Sequence, residues 1–341
     1  MINRGYFSRG EFILCLLCRP LLFFIQAFRS GAWQFPRSGF KCPPAGERLQ
    51  LRIQPLIGGE PELQKLVKRL MKLRRDLAGI YLHGSLASGD RVAYSDVDVI
   101  VVIRNGVRQR SWRWFRLIYT LNQCLIHFYR LDPLQHHGWM VFDEDDLTDF
   151  PIDRLPVDLL RESRSLLPGV GENLVLRVRE YREDPRQALY VLARSIVKKL
   201  AHPRYPADLY QLKCLLSEFM LLPAVYLGTR DNAGALKKQS FERAKKDFSA
   251  VDWRVMEEIS EIRLNWDLSM SGWRRFVLTR SNPAWRRLFL YLFAPPIPNP
   301  LAVKLNSAFY RRMARLADLF IDVAGENEVH RQTAASSVRS L

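Results

Sequence analysis

One short run restricts the fold of this chain more than any other. From Val97 to Ile103 the sequence reads VDVIVVI, β-branched at every position except Asp98. Such a run is short for a helix and has the composition of a buried strand. Asn105-Gly106 turns the chain after it. A shorter apolar stretch, Ile80-Tyr81-Leu82, precedes it and runs into Gly84-Ser85, and Trp139–Phe142 reads as a third strand. Buried strands need helices packed over them, and segments with helical periodicity lie on either side.

Two carboxylates, Asp96 and Asp98, stand at the head of the run. In a strand, residues i and i+2 point to one side, so the pair faces one way while Val97 faces the core. Like charges this close raise one of the two pKa values unless a cation lies between them. A divalent cation answers that need, and Mg²⁺ favours one or two carboxylates together with phosphate oxygens. Two such ions about 3.5–4 Å apart clamp the attacking and leaving oxygens of a phosphoryl transfer. An isolated D-x-D at a strand end ordinarily just meets water. Gly84-Ser85 changes the reading, because a glycine at a strand-to-helix junction lets backbone amides approach a phosphate closely. The Ser85 hydroxyl can donate to a phosphate oxygen, Gly89 adds a second flexible point, and Ser95 can fix the turn before Asp96. Together these residues make a phosphate-and-metal cradle.

Gly84-Ser85-Leu86-Ala87-Ser88-Gly89 followed by Ser95-Asp96-Val97-Asp98 resembles the signature of the DNA polymerase β-type nucleotidyltransferase superfamily, especially its minimal and antibiotic-modifying bacterial branches. The resemblance covers residues 60–145. It implies an α+β (α/β) domain with a small mixed sheet, followed by an all-α helical domain. It also implies that Gly84 and Ser85 hold the nucleotide phosphates and that Asp96 and Asp98 are catalytic and bind Mg²⁺. One part departs from the pattern. The family carries a third carboxylate on the next strand, whereas Leu134–Phe142 (LQHHGWMVF) contains no Asp or Glu. His136 or His137 is a candidate for that place, its neutral imidazole acting as general base on an acceptor hydroxyl, although imidazole is a poor ligand for Mg²⁺. Asp132, just upstream, is a second candidate. The third alternative is a site that works with two carboxylates or has lost transfer.

Along the chain, residues 34–48 read as a linker, and Glu60–Leu77 as an amphipathic helix ended by Gly79. Arg110–Arg130 reads as a helix stopped by Asp132-Pro133. The acidic stretch after Phe142 reads as a solvated helix start. Strand signals end near residue 155. Helical patterns then occupy 185–201, 206–222, 236–248, 253–264, 273–293 and 301–323, with Pro185 and Pro206 where a first turn tolerates proline. Trp253, Trp266, Trp273 and Trp285 read as core, and Tyr226 as packing. The expected organisation is an extension at 1–45, a nucleotidyltransferase domain at 46–150, a helical domain at 151–324 and a disordered tail at 325–341.

The 341 residues are 48% hydrophobic, enough for two cored domains, and carry a net charge of +17. That charge divides as +5 in residues 1–50, +2 in 51–150 and +10 in 151–341. The excess suits a polyanion such as a nucleoside triphosphate. In the helical half, Lys213, Lys237 and Lys238 are candidates to neutralise the β- and γ-phosphates, the last two as nucleotide-binding residues. Five scattered cysteines make no disulfide framework, and reduced cysteines point to the cytoplasm. Cys15 and Cys18 lie in the apolar run Phe12–Phe28 with no second ligand pair, so no zinc site is expected. Arg19-Pro20 breaks that run. A spanning helix needs about 20 apolar residues, and a central Arg costs about 2.5–3.5 kcal/mol. Residues 1–45 are therefore expected to be an apolar extension that is disordered or membrane-associated, with a membrane the less expected partner.

These observations lead to a metal-dependent nucleotidyltransferase that moves NMP from an NTP to a hydroxyl of a small-molecule or protein acceptor and releases pyrophosphate. The alternatives are a non-catalytic nucleotide-binding or antitoxin-like module, and a transferase acting on RNA. The basic helical half keeps the last open, although no RNA-binding signature accompanies it.

Overall fold

The structure is a computed structural model that describes residues 46–150, 155–179, 184–201, 205–231, 237–267 and 270–339. The apolar run at 12–28 lies outside the described residues. Strands β1 (Arg48–Arg52) and β2 (Gln54–Pro55) come first, then helix α1 (Pro61–Leu70), which a 3₁₀ turn (Met71–Leu73) extends. Leu63, Leu66 and Leu70 give α1 its buried stripe. Strand β3 (Leu77–His83) follows. The expectation that the helix runs to Leu77 and ends at Gly79 is thus corrected, because Gly79 lies inside a strand. Its lack of a side chain matters there: a Cβ would sit 2.1 Å from the Tyr81 hydroxyl. The Tyr81 ring folds back over Gly79, and its hydroxyl donates to the Gly171 carbonyl at 2.9 Å.

Next come α2 (Ser85–Ser88), β4 (Asp98–Ile103), α3 (Ser111–Leu131) and β5 (Trp139–Asp143). The acidic stretch forms a 3₁₀ turn (Glu144–Asp149) closed by a capping box between Asp143 and Asp146. Helix α4 (Val157–Arg161), β6 (Arg164–Ser165) and β7 (Asn173–Arg177) return the chain to the sheets. Strands therefore continue past residue 155, contrary to the sequence expectation. The five-stranded sheet has the order β2-β6-β3-β4-β5, and β1 pairs antiparallel with β7 in a separate ribbon. Strand β4 is antiparallel to β3 and parallel to β5, with α3 as the crossover. Val99, Val101 and Ile103 face α1 and α3, packing with Leu66, Leu117 and Leu121. Ile100 and Val102 face the other layer, with Leu51, Leu174 and Leu176. Both faces of β4 are covered, as its composition requires.

The helical half comprises α5 (Pro185–Ala201), α6 (Leu209–Phe219), α7 (Leu222–Asp231), α8 (Lys237–Lys245), α9 (Ala250–Leu264), α10 (Gly272–Arg280), α11 (Arg286–Phe293), α12 (Asn299–Lys304) and α13 (Ser307–Arg339). The helix expected over 273–293 is two helices, because Pro283 cannot continue the first. Helix α13 runs through most of the stretch read as a tail. Trp253 and Trp266 are buried, but Trp273 is more than half exposed and Trp285 is also exposed, so only the first pair is core. Tyr226 is fully buried, and its hydroxyl donates to Asp247 at 2.9 Å. Tyr94 and Leu134, from the sheet half, belong to the helical core, so the halves meet beside the D-x-D segment.

Candidate active site

Strand β3 ends at His83, whose antiparallel partner is Asp98. Gly84 follows with φ +73°, a conformation that side-chain-bearing residues rarely adopt, and it caps α2. Its carbonyl accepts from the Ala87 and Ser88 amides. A Cβ on Gly84 would lie 3.3 Å from Asp98 Oδ2, so backbone and carboxylate adjoin, as the cradle requires. Gly89 closes α2 at φ +82°, and Ser85 is half-buried. Ser95 fixes its turn as anticipated: Oγ accepts from the Val92 amide at 3.1 Å, and its own amide donates to the Val92 carbonyl.

Asp98 is the first residue of β4 and Asp96 lies just before it. Between them Val97 is buried. Its amide donates to Gln135 Oε1 and its carbonyl accepts from Gln135 Nε2, both at 2.9 Å. The same Nε2 donates to the His137 carbonyl at 3.0 Å. A buried side-chain amide thus continues the β4–β5 ladder where the backbone ladder stops. Sequence reasoning missed this role for Gln135.

Val99 stands opposite Trp139, and that register, continued backward, sets His136 across from Asp96. His136 Nδ1 lies 3.3 Å from Asp96 Oδ1, and His137 Nε2 lies 4.0 Å from Asp96 Oδ2. The two imidazoles are tilted against each other at 3.7 Å between centroids. Burial, reinforced by the neighbouring His136, lowers the His137 pKa against the opposing pull of Asp98 and Asp96. Burial also lowers that of His83, with Asp98 opposing. Asp96, His136 and His137 offer ligand atoms within 4.8 Å of one another, a spread compatible with a shared divalent cation.

Lys213 does not lie on a solvent-facing side of its helix. It is fully buried, and its ammonium bridges two carboxylates, Asp96 Oδ1 at 2.8 Å and Asp132 Oδ2 at 2.7 Å. Asp132 Oδ1 accepts from the Leu134 amide at 3.0 Å. Tyr94 steadies the lysine's helix by donating to the Lys213 carbonyl at 2.8 Å. Burial alone would raise the Asp96 pKa, but Lys213 and His136 outweigh it and hold the carboxyl well below the usual range. For Asp132 burial wins, with Asp96 adding to it, and the pKa rises to about 6 despite Lys213. Burial would lower the Lys213 pKa, but its two carboxylates keep it raised. Asp132 therefore joins the site through Lys213. Lys237 and Lys238 begin α8, and their side chains lie outside the described residues.

Residues 63–166 match a family model described as a nucleotidyltransferase domain. No curated protein matches the chain. Among solved structures, spectinomycin adenyltransferase AAD(9) from Enterococcus faecialis, with ATP and spectinomycin, is similar at 12% identity and a TM-score of 0.35, over 77% of this chain and 99% of that one. A likeness at that level assigns neither ligand nor reaction.

Proposed function

We propose, from the match of residues 63–166 to the nucleotidyltransferase-domain model, that the chain is a polymerase β-type nucleotidyltransferase that moves a nucleoside monophosphate from an NTP to a hydroxyl of a small-molecule or protein acceptor. The observation that supports the reading is the apposition of Gly84 and Asp98, which sets the turn proposed to receive phosphate beside the carboxylate proposed to hold the metal. Asp96 and Asp98 would hold Mg²⁺ or a similar divalent cation. Such an ion, when bound, stabilises charge on the transferring phosphoryl group and on the leaving pyrophosphate. Gly84 and the first turn of α2 present amides to the phosphates. Lys213 keeps Asp96 ionised, the form that binds a cation.

His137 is half exposed whereas His136 is nearly buried against Asp96. His136 therefore orients, and the more open His137 imidazole, its pKa lowered by partial desolvation and by the adjacent His136, accepts the proton of the acceptor hydroxyl. The hydroxyl oxygen bonds to the α-phosphorus, the bond to the β-bridging oxygen breaks, and pyrophosphate leaves. The test is pyrophosphate release and label transfer with the four NTPs, Mg²⁺ and a cell extract. The double substitution Asp96→Ala/Asp98→Ala should abolish transfer by on the order of a thousandfold or more. Transfer that survives it would refute the proposal.

A second reading, nucleotide binding without transfer, is favoured by the imidazole that stands across from Asp96 where the family has an acid. Mg²⁺-dependent binding of an NTP, lost in the double variant, with no labelled product in any extract would establish it instead.

A further inference from the structure

Fifty consecutive residues, 268–317, contain no Asp or Glu and nine Lys or Arg. Helices α10 and α11 lie inside this stretch. Their inner side is anchored: Leu278, Leu290 and Arg286 are buried. Arg286 donates to the Leu278 and Pro133 carbonyls, and its guanidinium lies 4.1 Å over the Tyr129 ring. Their outer side is apolar and cationic. Trp273, Phe276, Tyr291 and Leu292 are each more than half exposed, and Arg275, Arg280 and Arg287 are exposed among them. Trp273 meets Phe293 edge-on at 5.5 Å, and Phe293 packs on Phe289 at 5.7 Å, so one aromatic cluster joins the two helices.

We propose that this α10–α11 face docks on an anionic phospholipid surface. A basic helix pair without acids matches a layer of lipid phosphates in charge. Bulky apolar side chains beside arginines are what the interfacial zone accepts, with rings at the acyl boundary and guanidinium groups reaching back to the phosphates. The exposed aliphatic Leu292 beside the rings favours this partner over single-stranded nucleic acid, whose bases stack on aromatic faces. The Arg280 guanidinium lies 4.3 Å over one face of Phe276, and that of Arg274 lies 5.6 Å over Trp273, so cationic and apolar groups are interleaved across the face. The inference is independent of the transfer chemistry, and of the apolar run at 12–28 on which sequence reasoning weighed membrane contact.

The test is flotation of the full chain with phosphatidylcholine vesicles and with vesicles that also contain phosphatidylglycerol. Binding should require the anionic lipid and weaken with salt. The variant Arg274→Gln/Arg275→Gln/Arg280→Gln should lose roughly fivefold in affinity per arginine, on the order of a hundredfold in all. Trp273→Ser/Phe276→Ser should also release the protein. Circular dichroism should show both variants folded at the assay temperature, the serine pair melting somewhat lower because Trp273 packs on Phe293. Equal binding to both vesicle types, or vesicle binding that neither variant alters, would overturn the proposal. So would variants that instead abolish binding of a single-stranded RNA oligonucleotide, or that dissociate a dimer seen by light scattering; these results would assign the face to nucleic acid or to a second copy.

Discussion

Replacing Lys213 with methionine removes a charge while keeping most of the side chain's bulk. It leaves Asp96 and Asp132 facing each other, both buried, with no cation between them. Breaking a buried ion pair from one side costs about 3–5 kcal/mol. Proton uptake sets an independent ceiling, since keeping a carboxyl of ordinary pKa protonated at pH 7 costs about 4 kcal/mol. The two routes agree, so Lys213→Met should lose about 4 kcal/mol at pH 7, a large part of the 5–15 kcal/mol typical of a domain. The pH dependence is the sharper signature. Without Lys213, burial and mutual repulsion both raise the carboxyl pKa values in the folded state, as burial already does for Asp132. A folded-state pKa above the unfolded one gives stability that is present at low pH and lost as pH rises. The deficit should therefore shrink to about 1–2 kcal/mol at pH 5. Urea titrations of wild type and variant at both pH values would measure it. A deficit below about 1 kcal/mol at pH 7, or one independent of pH, would refute the bridge. Adding Asp132→Asn to Lys213→Met should restore part of the loss, since the contacts are coupled.

Other expectations are as direct. Gly84→Ala places a β-carbon at φ +73° and 3.3 Å from Asp98 Oδ2; it should lower stability by about 1–2 kcal/mol in thermal melts and weaken NTP binding in calorimetry. Burial pushes the Glu62 carboxyl up, but Lys65, His127 and Arg130 bring it down to about 2. Its stabilising contribution is present above the unfolded pKa of about 4.3 and is lost as pH falls toward 2, so Glu62→Gln should flatten the acid limb of a circular dichroism titration, and an unchanged limb would contradict the pairing. His136→Asp puts an oxygen donor across from Asp96 and should tighten Mg²⁺ binding roughly tenfold in calorimetry without nucleotide; unchanged affinity would place position 136 outside the metal's reach.

The juxtaposition of the candidate cradle residues was legible because they are local in sequence. Gly84, Ser85, Ser95, Asp96 and Asp98 fall within one strand–turn–strand unit, and the β-branched run between Asp98 and Asn105 specifies the strand by composition alone. What was missed depends on tertiary contact. Lys213 meets Asp132 across 81 positions of sequence, and its signal was a lone cation in an otherwise apolar helix turn, which is equally the mark of a solvated side chain. Gln135 had no signal, because a glutamine that completes a ladder looks like any loop glutamine. Strands β1 and β7 are short and half-exposed, with arginines at both ends of β1 and one at the end of β7, and β6 has two residues, too few for a period to show. Trp273 and Trp285 followed helical spacing but not burial, since spacing marks a helix face without saying what covers it.

The cation that holds Asp96 ionised arrives from α6, in the other half of the chain. The D-x-D unit is for that reason not a portable cassette. Spliced onto a different helical partner, it would carry a carboxylate set for a counter-charge the new host lacks, and natural recombination would meet the same obstacle. The two halves are thus expected to be inherited together, and sequence drift at position 213 to be tolerated only where position 132 drifts with it.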